Sequence, residues 1–436
     1  MNTELLDTYP KYDSYKDSGI KELGKVPKDW ELLSNKHIFS IKNVRVGKKS
    51  EDYDLLSLTL KGIIKRDMEN PQGKFPAEFD TYQEVSSGDF VFCLFDVEET
   101  PRTVGLSEFD GMITGAYTVL EVSPSFDKNF IYYFYLNLDN EKMLKPLYRG
   151  LRNTIPKDWF MSYKTFIPTY EEQTAIANFL DQKTTQIDQA INLKQQQIEK
   201  LNEYKQILIQ NAVTKGLNPD AEMKDSGIDW MGNIPKYWEV KKLKYLGQSI
   251  IGLTYSPMDL TTKDKGVLVL RSSNLQNGKF YYSDKANVFV STKISPKLML
   301  RKDDILICSR NGSRDLIGKC AIAKISDLGS TFGAFTTVFR SPLNPYLYYI
   351  LNSNVFKFLS GSFLTSTINQ LTIGNLNSIQ LPIPPKVEQQ KISEYLDNLL
   401  LVFERAEKNY QSQIDSLKKY KTVLINDAVT GKIKVS

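Results

Sequence analysis

Three stretches of this 436-residue chain gather side chains that could do chemistry, and each lacks a member that its chemistry requires. Gly312-Ser-Arg-Asp-Leu-Ile-Gly318-Lys319-Cys320 approaches a phosphate-cradling loop. It carries one residue too many between the glycines, and Cys320 stands where a Ser or Thr hydroxyl would hold magnesium. Asn344-Pro345-Tyr346 is close to the Asn-Pro-Pro-Tyr element of adenine-N6 methyltransferases but lacks its second proline, and no glycine-rich S-adenosylmethionine loop follows a strand. Asp220, Glu222 and Lys224 supply the letters of a nuclease carboxylate–lysine site, yet they follow Pro219 in a polar stretch without the strand spacing that would gather them around magnesium. A linker is the better reading. His37 is the only histidine, so no multi-histidine metal site can form, and a satisfied or solvent-facing ring suits it better than a catalytic triad. Cys93, Cys308 and Cys320 lie far apart with no C-x-x-C pair, as expected of reduced thiols rather than of disulfides or structural zinc. The expectation is a chain with no catalytic residues and no metal ligands.

A different chemistry suits the loops. Arg and Asn read guanine and adenine edges in the DNA major groove, while Lys, Ser and backbone amides hold phosphates. The candidates in the first half are Lys42, Asn43, Arg45, Arg102, Arg149, Arg152 and Asn153; in the second half they are Arg271, Asn274, Arg310, Asn311, Arg314, Thr365 and Asn369. The net charge of +5 permits a nucleic-acid partner without demanding one. Taken singly, a polar glycine-containing loop is most often only a solvated turn, so the weight of these residues depends on what carries them.

What carries them is written twice. Lys16-Asp-Ser-Gly-Ile20, Gly24, Pro27-Lys28 and Trp30-Glu31 recur as Lys224-Asp-Ser-Gly-Ile228, Gly232, Pro235-Lys236 and Trp238-Glu239, ten of sixteen positions being identical. A second match runs without a gap from Glu172-Gln173 and Glu388-Gln389, through Leu180-Asp181 and Leu396-Asp397, to Ala212-Val-Thr214 and Ala428-Val-Thr430. The middles have diverged but keep landmarks: Phe90-Val-Phe-Cys93 faces Ile305-Leu-Ile-Cys308, and Gly115-Ala-Tyr-Thr118 faces Gly333-Ala-Phe-Thr336.

Apolar steps of three, four and seven mark a coiled-coil stripe at Ile176, Leu180, Ile187, Ile198, Leu201 and Leu208, and again at Ile392, Leu396, Phe403, Ile414, Leu417 and Leu424. Prolines precede both stretches, Gly216 and Gly431 follow them, and neither Pro nor Gly interrupts residues 171–214 or 387–430. About 44 residues at 1.5 Å each make a rod of roughly 65 Å. The two helices are expected to pair antiparallel as a spacer; the alternative is that each buries its stripe against its own globular unit. Residues 54–60, 90–93, 267–270 and 305–308 read as strands between turn clusters, and 130–138 and 346–354 as helices.

The fold class predicted is mixed α+β: two α/β domains joined by two long antiparallel coiled-coil helices, in a pseudo-two-fold circular repeat. The boundaries expected are an N-terminal segment 1–22, domains at 23–166 and 231–383, a central helix and linker at 167–230, and a C-terminal helix at 384–436. Residues 1–22 pair with the later linker, so both termini should lie together.

The hydrophobic share of 41% and charged share of 25% fit a soluble globular protein, no apolar run approaches a membrane span, and the polar start, Met1 to Pro10, is neither signal nor transit peptide. A cytoplasmic protein is expected. The doubled unit, beginning Lys-Asp-Ser-Gly-Ile…Pro-Lys…Trp-Glu and ending Pro-x-Pro-Pro…Glu-Gln…Leu-Asp, resembles the specificity subunit of type I restriction–modification systems over nearly the whole chain. The second half is the closer match, and the first departs at Pro168-Thr-Tyr, where the second proline is absent. The resemblance implies a non-catalytic subunit whose two domains each read one half of a split, asymmetric double-stranded DNA site, with the helices as a ruler. It also implies two methyltransferase subunits that bind S-adenosylmethionine, two motor–nuclease subunits that use ATP and magnesium, and no cofactor on this chain. A modification-only relative and a coiled-coil scaffold that binds protein remain alternatives.

Overall fold

A computed structural model describes residues 9–19, 24–68, 79–363 and 369–435, and the chain divides into two units. Residues 1–195 with 411–436 form the first, and residues 196–410 the second.

The first unit is built on an antiparallel sheet of β1 (Phe39–Lys42), β2 (Phe90–Phe92), β3 (Val104–Leu106) and β4 (Thr118–Val122), ordered β1-β4-β2-β3. Phe90, Val91 and Phe92 are all buried, as a central strand covered on both faces must be. Helix α1 (Lys128–Asn140) is capped by Asp127, whose Oδ1 accepts from the Asn129 and Phe130 amides. Its Phe130, Phe134, Tyr135 and Leu138 pack with Phe39, Phe90 and Phe92. The second unit repeats the plan with β5 (Gln248–Ile251), β6 (Ile305–Cys308), β7 (Cys320–Ile322) and β8 (Thr336–Arg340), ordered β5-β8-β6-β7. It adds a second sheet in which Val267–Leu270 pairs in parallel with Thr331–Phe332. The helix expected over 346–354 is divided. Asn344–Leu351 ends first, and Ser353 then caps a new helix, Asn354–Ser362, by accepting from the Phe356 amide.

Two long helices, α2 (Tyr170–Lys215) and α3 (Lys386–Val429), each give part to either unit. In the first unit they run antiparallel: Lys421 Nζ lies 2.6 Å from Asp188 Oδ2, and Lys194 donates to Gln413. In the second unit the Tyr204 and Phe403 rings meet at 6.2 Å. The stripe does both things that the sequence allowed. Ile176, Leu180, Ile187 and Leu424 join the core of the first globular unit, with Leu417 packed against it, and Ile392 and Leu396 join the core of the second. Ile198, Phe403 and Ile414 are buried, whereas Leu201 and Leu208 are half-buried and Ile209 takes the core place beside Ala212 and Val213.

The repeated motifs fasten helix to domain. Trp30 and Trp238 are fully buried, and each donates its ring N–H to the glutamate opening a long helix, Glu172 at 3.4 Å and Glu388 at 3.0 Å. Gln173 donates to the Pro168 carbonyl at 2.9 Å and Gln389 to that of Pro384 at 2.8 Å, so the missing proline leaves the helix start unchanged. Tyr133 donates to Asp181 at 2.7 Å and Tyr349 to Asp397 at 2.6 Å. Each tryptophan also meets a glycine past a helix end. A Cβ on Gly216 (φ +77°) would lie 3.2 Å from the Trp238 ring, and one on Gly431 (φ +70°) 3.2 Å from Trp30.

Candidate nucleic-acid interface

In the second unit the register Cys308↔Thr336 sets the loop leaving β6 beside the loop entering β8. The Ser309 and Arg310 amides both donate to the Phe335 carbonyl, at 3.1 and 3.0 Å. The Leu371 amide donates to the Ser309 carbonyl at 2.8 Å, and Arg310 bridges Gln370, which brings in a third segment. Asn311 Nδ2 donates to Ser272 Oγ at 2.9 Å and adds a fourth. Arg271, Asn274, Arg310, Asn311, Arg314 and Asn369 are thereby gathered at one end of the sheet; Thr365 lies outside the described residues.

These residues do different work. Asn274 is a turn residue and not a base reader. It is completely buried, its Oδ1 accepts from the Arg271 amide, and its Nδ2 donates to the Tyr281 carbonyl at 3.0 Å. Arg271 is half-buried and donates to the Ala286 carbonyl. Asn311 and Asn369 knit the loops: Asn311 Oδ1 accepts from the Ser313 amide, and Asn369 Nδ2 donates to the Gly312 carbonyl. Arg314 is exposed and reaches the Gly361 carbonyl at 3.3 Å. Arg310 is exposed, and its guanidinium lies 5.3 Å from the centre of the Phe335 ring, itself 60% exposed.

The first unit repeats the constellation with other side chains. The Ile155 amide donates to the Leu94 carbonyl at 2.7 Å, just as Leu371 does to Ser309, and the Asp96 amide donates to the Arg152 carbonyl at 2.8 Å. Arg149 and Thr154 close a hairpin by reciprocal amide–carbonyl bonds of 2.8 and 3.0 Å, with Asn153 at φ +43° in its turn. The Phe95 and Tyr117 rings stack at 6.0 Å. Arg152 makes two hydrogen bonds to Asp96 and holds that carboxyl below the usual carboxylate range. The Arg149 guanidinium lies 3.9 Å over the Trp159 ring. Two candidates are structural. Lys42 is half-buried between Asp89 (3.0 Å) and Glu84 (3.4 Å), and Arg102 is held by the buried Asp139 (3.2 Å) and by Asn140 (2.9 Å). Charge pairing commits both to the protein's own carboxylates. Asn43 and Arg45 stay exposed after β1, and Arg45 is bridged to Gln83, whose side chain donates to the Tyr117 carbonyl at 2.7 Å. Exposed Lys48 and Lys49 follow. Sequence reading passed over these lysines and the aromatic partners Phe95, Tyr117 and Phe335, although the aligned Gly-Ala-Tyr-Thr and Gly-Ala-Phe-Thr already held the signal.

The abandoned catalytic motifs take architectural roles. Asn344 is buried and donates to the Asp303 and Phe339 carbonyls, and Tyr346 OH donates to those of Val213 and Pro382. Glu222 pairs with Lys236. Among the described residues no cluster of His, Cys, Asp and Glu has metal-binding geometry, and no helix is long and apolar enough to cross a membrane.

The family described as type I restriction modification DNA specificity domain matches residues 235–415. The chain is 26% identical over 457 residues to the putative type I restriction enzyme MjaX specificity subunit of Methanocaldococcus jannaschii, covering 97% of this chain and 98% of that one. It is 29% identical over 213 residues to the type I restriction enzyme EcoKI specificity subunit of Escherichia coli K12, covering 46% of this chain and 44% of that relative's length. Among solved structures, a chain from a study of complex assembly and conformational transition in the type I R-M system superposes with a TM-score of 0.66 at 15% identity. That match covers 93% of this chain and 98% of the other, and it shows a shared fold.

Proposed function

We propose, for a chain that belongs to the family of type I restriction–modification specificity subunits, that it is the sequence-reading, non-catalytic subunit of such a complex. Its partners are double-stranded DNA, two methyltransferase subunits and, through them, two motor–nuclease subunits. S-adenosylmethionine, ATP and magnesium belong to those partners, and the complex works in the cytoplasm. The observation that carries the reading is the doubled constellation of loops: sheets of the same strand order present Phe95 and Tyr117 in one unit and Arg310 and Phe335 in the other. Similar frames with unlike side chains suit two half-sites of unlike sequence. The long helices, each contributing to both units, fix the number of unread base pairs between the half-sites.

Base-resolution mapping of methylated adenines, in cells carrying this chain with its methyltransferase subunits, tests the proposal. The expected result is one asymmetric bipartite motif. Exchange of residues 231–380 for the matching domain of a relative should change one half of that motif only. No motif, or a change in both halves, would overturn the reading.

A further inference from the structure

The Cys93 and Cys308 amides each donate to the neighbouring segment, at Thr103 and Lys319, and the next residues, Leu94 and Ser309, each accept from a third segment, at Ile155 and Leu371, so Phe95 and Arg310 follow at the same place in the two loops. Tyr117 and Phe335 are the third residues of Gly-Ala-Tyr-Thr and Gly-Ala-Phe-Thr, set one residue apart in register, since Thr118 pairs with Phe92 and Thr336 with Cys308. Each unit nevertheless sets an aromatic ring of that motif beside the loop, and what lies on it differs. In the second unit it carries an exposed guanidinium. In the first it carries a half-buried phenyl ring, over which Arg152, tied to Asp96, also sits at 5.9 Å.

The other candidates of the second unit are committed to protein. Asn274 is buried, Arg271 and Arg314 donate to carbonyls, and Asn311 and Asn369 hold the loops together. Among the described residues no carboxylate pairs with Arg310. Stacking on Phe335 limits the directions its planar fork can take, which lowers the entropy lost when it binds. A planar guanidinium, exposed and oriented by an aromatic ring, matches the O6 and N7 acceptors of guanine in the major groove.

Building on the DNA-reading function proposed above, we infer that residue 310 is a base-selecting position of the second unit. Arg310 reads a guanine of one half-site, Phe335 orients it, and Phe95 at the matched position withholds that readout from the other half-site.

The test uses the chain with its methyltransferase subunits and the methylated motif of the parent. Arg310→Ala and Arg310→Lys should each make one guanine of one half-site dispensable, with discrimination there falling about 10- to 100-fold, while the other half-site stays unchanged. The lysine variant keeps the charge, so phosphate attraction alone would leave its motif intact and would overturn the proposal. Phe335→Leu should relax the same position partly and Phe335→Tyr should restore it, as befits a positioning residue. A duplex with 7-deazaguanine at that base, which lacks the N7 acceptor, should bind the parent about tenfold more weakly and Arg310→Ala with no further loss. A parent that yields no bipartite motif refutes DNA reading itself. A clear parental motif kept at full stringency by both Arg310 variants refutes only the assignment of Arg310.

Discussion

Asp139 shows how buried charge holds the reading loops without reading anything. It is 3% exposed and accepts from the Thr103 amide (2.9 Å), the Thr103 hydroxyl (2.6 Å), Lys142 (2.9 Å) and Arg102 (3.2 Å). Asp304 does comparable work in the second unit, taking two hydrogen bonds of 2.8 and 2.6 Å from Arg340. Removing one partner from such a cluster strands the rest. Asp139→Ala should therefore lower stability by about 3 kcal/mol in chemical denaturation. A loss below about 1 kcal/mol would mean that water replaces the carboxylate. The thiols offer a second check. Burial pushes the Cys308 thiol up to about 11 and those of Cys93 and Cys320 upward as well. A raised thiol pKa keeps the group protonated, and unreactive, at neutral pH. A disulfide reagent at pH 8 should label none of the three in the folded protein and all three in denaturant.

At the scale of elements, the fastening of each long helix to its domain repeats nearly atom for atom. The glycine past each helix end does two things that no other residue can combine: it takes a positive φ, and it lets a tryptophan ring lie against the backbone. A Cβ on Gly431 would come within 2.3 Å of Pro27 Cδ, and one on Gly216 within 2.8 Å of Glu388 Oε1. Gly431→Ala should cost about 2 kcal/mol or more, from strained φ and a ring displaced against proline. Gly216→Ala should cost less, because a carboxylate at the end of a flexible side chain can move; equal costs, read from urea unfolding, would argue against the proline clash. These elements were the most legible part of the chain. A 44-residue apolar period bounded by Pro and Gly placed both long helices to within a residue or two, because the signal is local and repeated. The division of the 346–354 helix was missed, since Ser353 as a cap competes with the apolar pattern only weakly. The candidate interface was less legible still. Arg and Asn in a polar loop look alike in sequence, and what separates Asn274 from Arg310 is burial and partnership with residues distant along the chain.

At the scale of the whole molecule, the first unit is assembled from both ends of the chain. The Lys434 amide donates to the Pro10 carbonyl at 2.7 Å, and Ile433 is buried in the core that holds Val26 and Trp30, with Tyr9 and Tyr12 packed against it. Gly431 meets Trp30 there as Gly216 meets Trp238 in the second unit, where the same join is made by a continuous chain through the exposed residues Leu217, Asn218, Pro219 and Asp220. The two joins share the packing of glycine on tryptophan; one is a continuous chain and the other is closed by the bond between Lys434 and Pro10. Linking Ser436 to Met1 and reopening the chain between Asn218 and Pro219 should therefore exchange the roles of the units: the second would be built from both ends and the first from a continuous chain. Among the described residues the cut crosses the turn in which Asn218 accepts from the Asp220 and Ala221 amides, and the change in loop closure is worth only about 1 kcal/mol. The permuted chain should melt within a few degrees of the parent and, with the methyltransferase subunits, mark the same motif. A permuted chain that folds but marks a different motif would show that the covalent path through residues 217–220 takes part in recognition. The circular repeat would then be a property of packing and not of function.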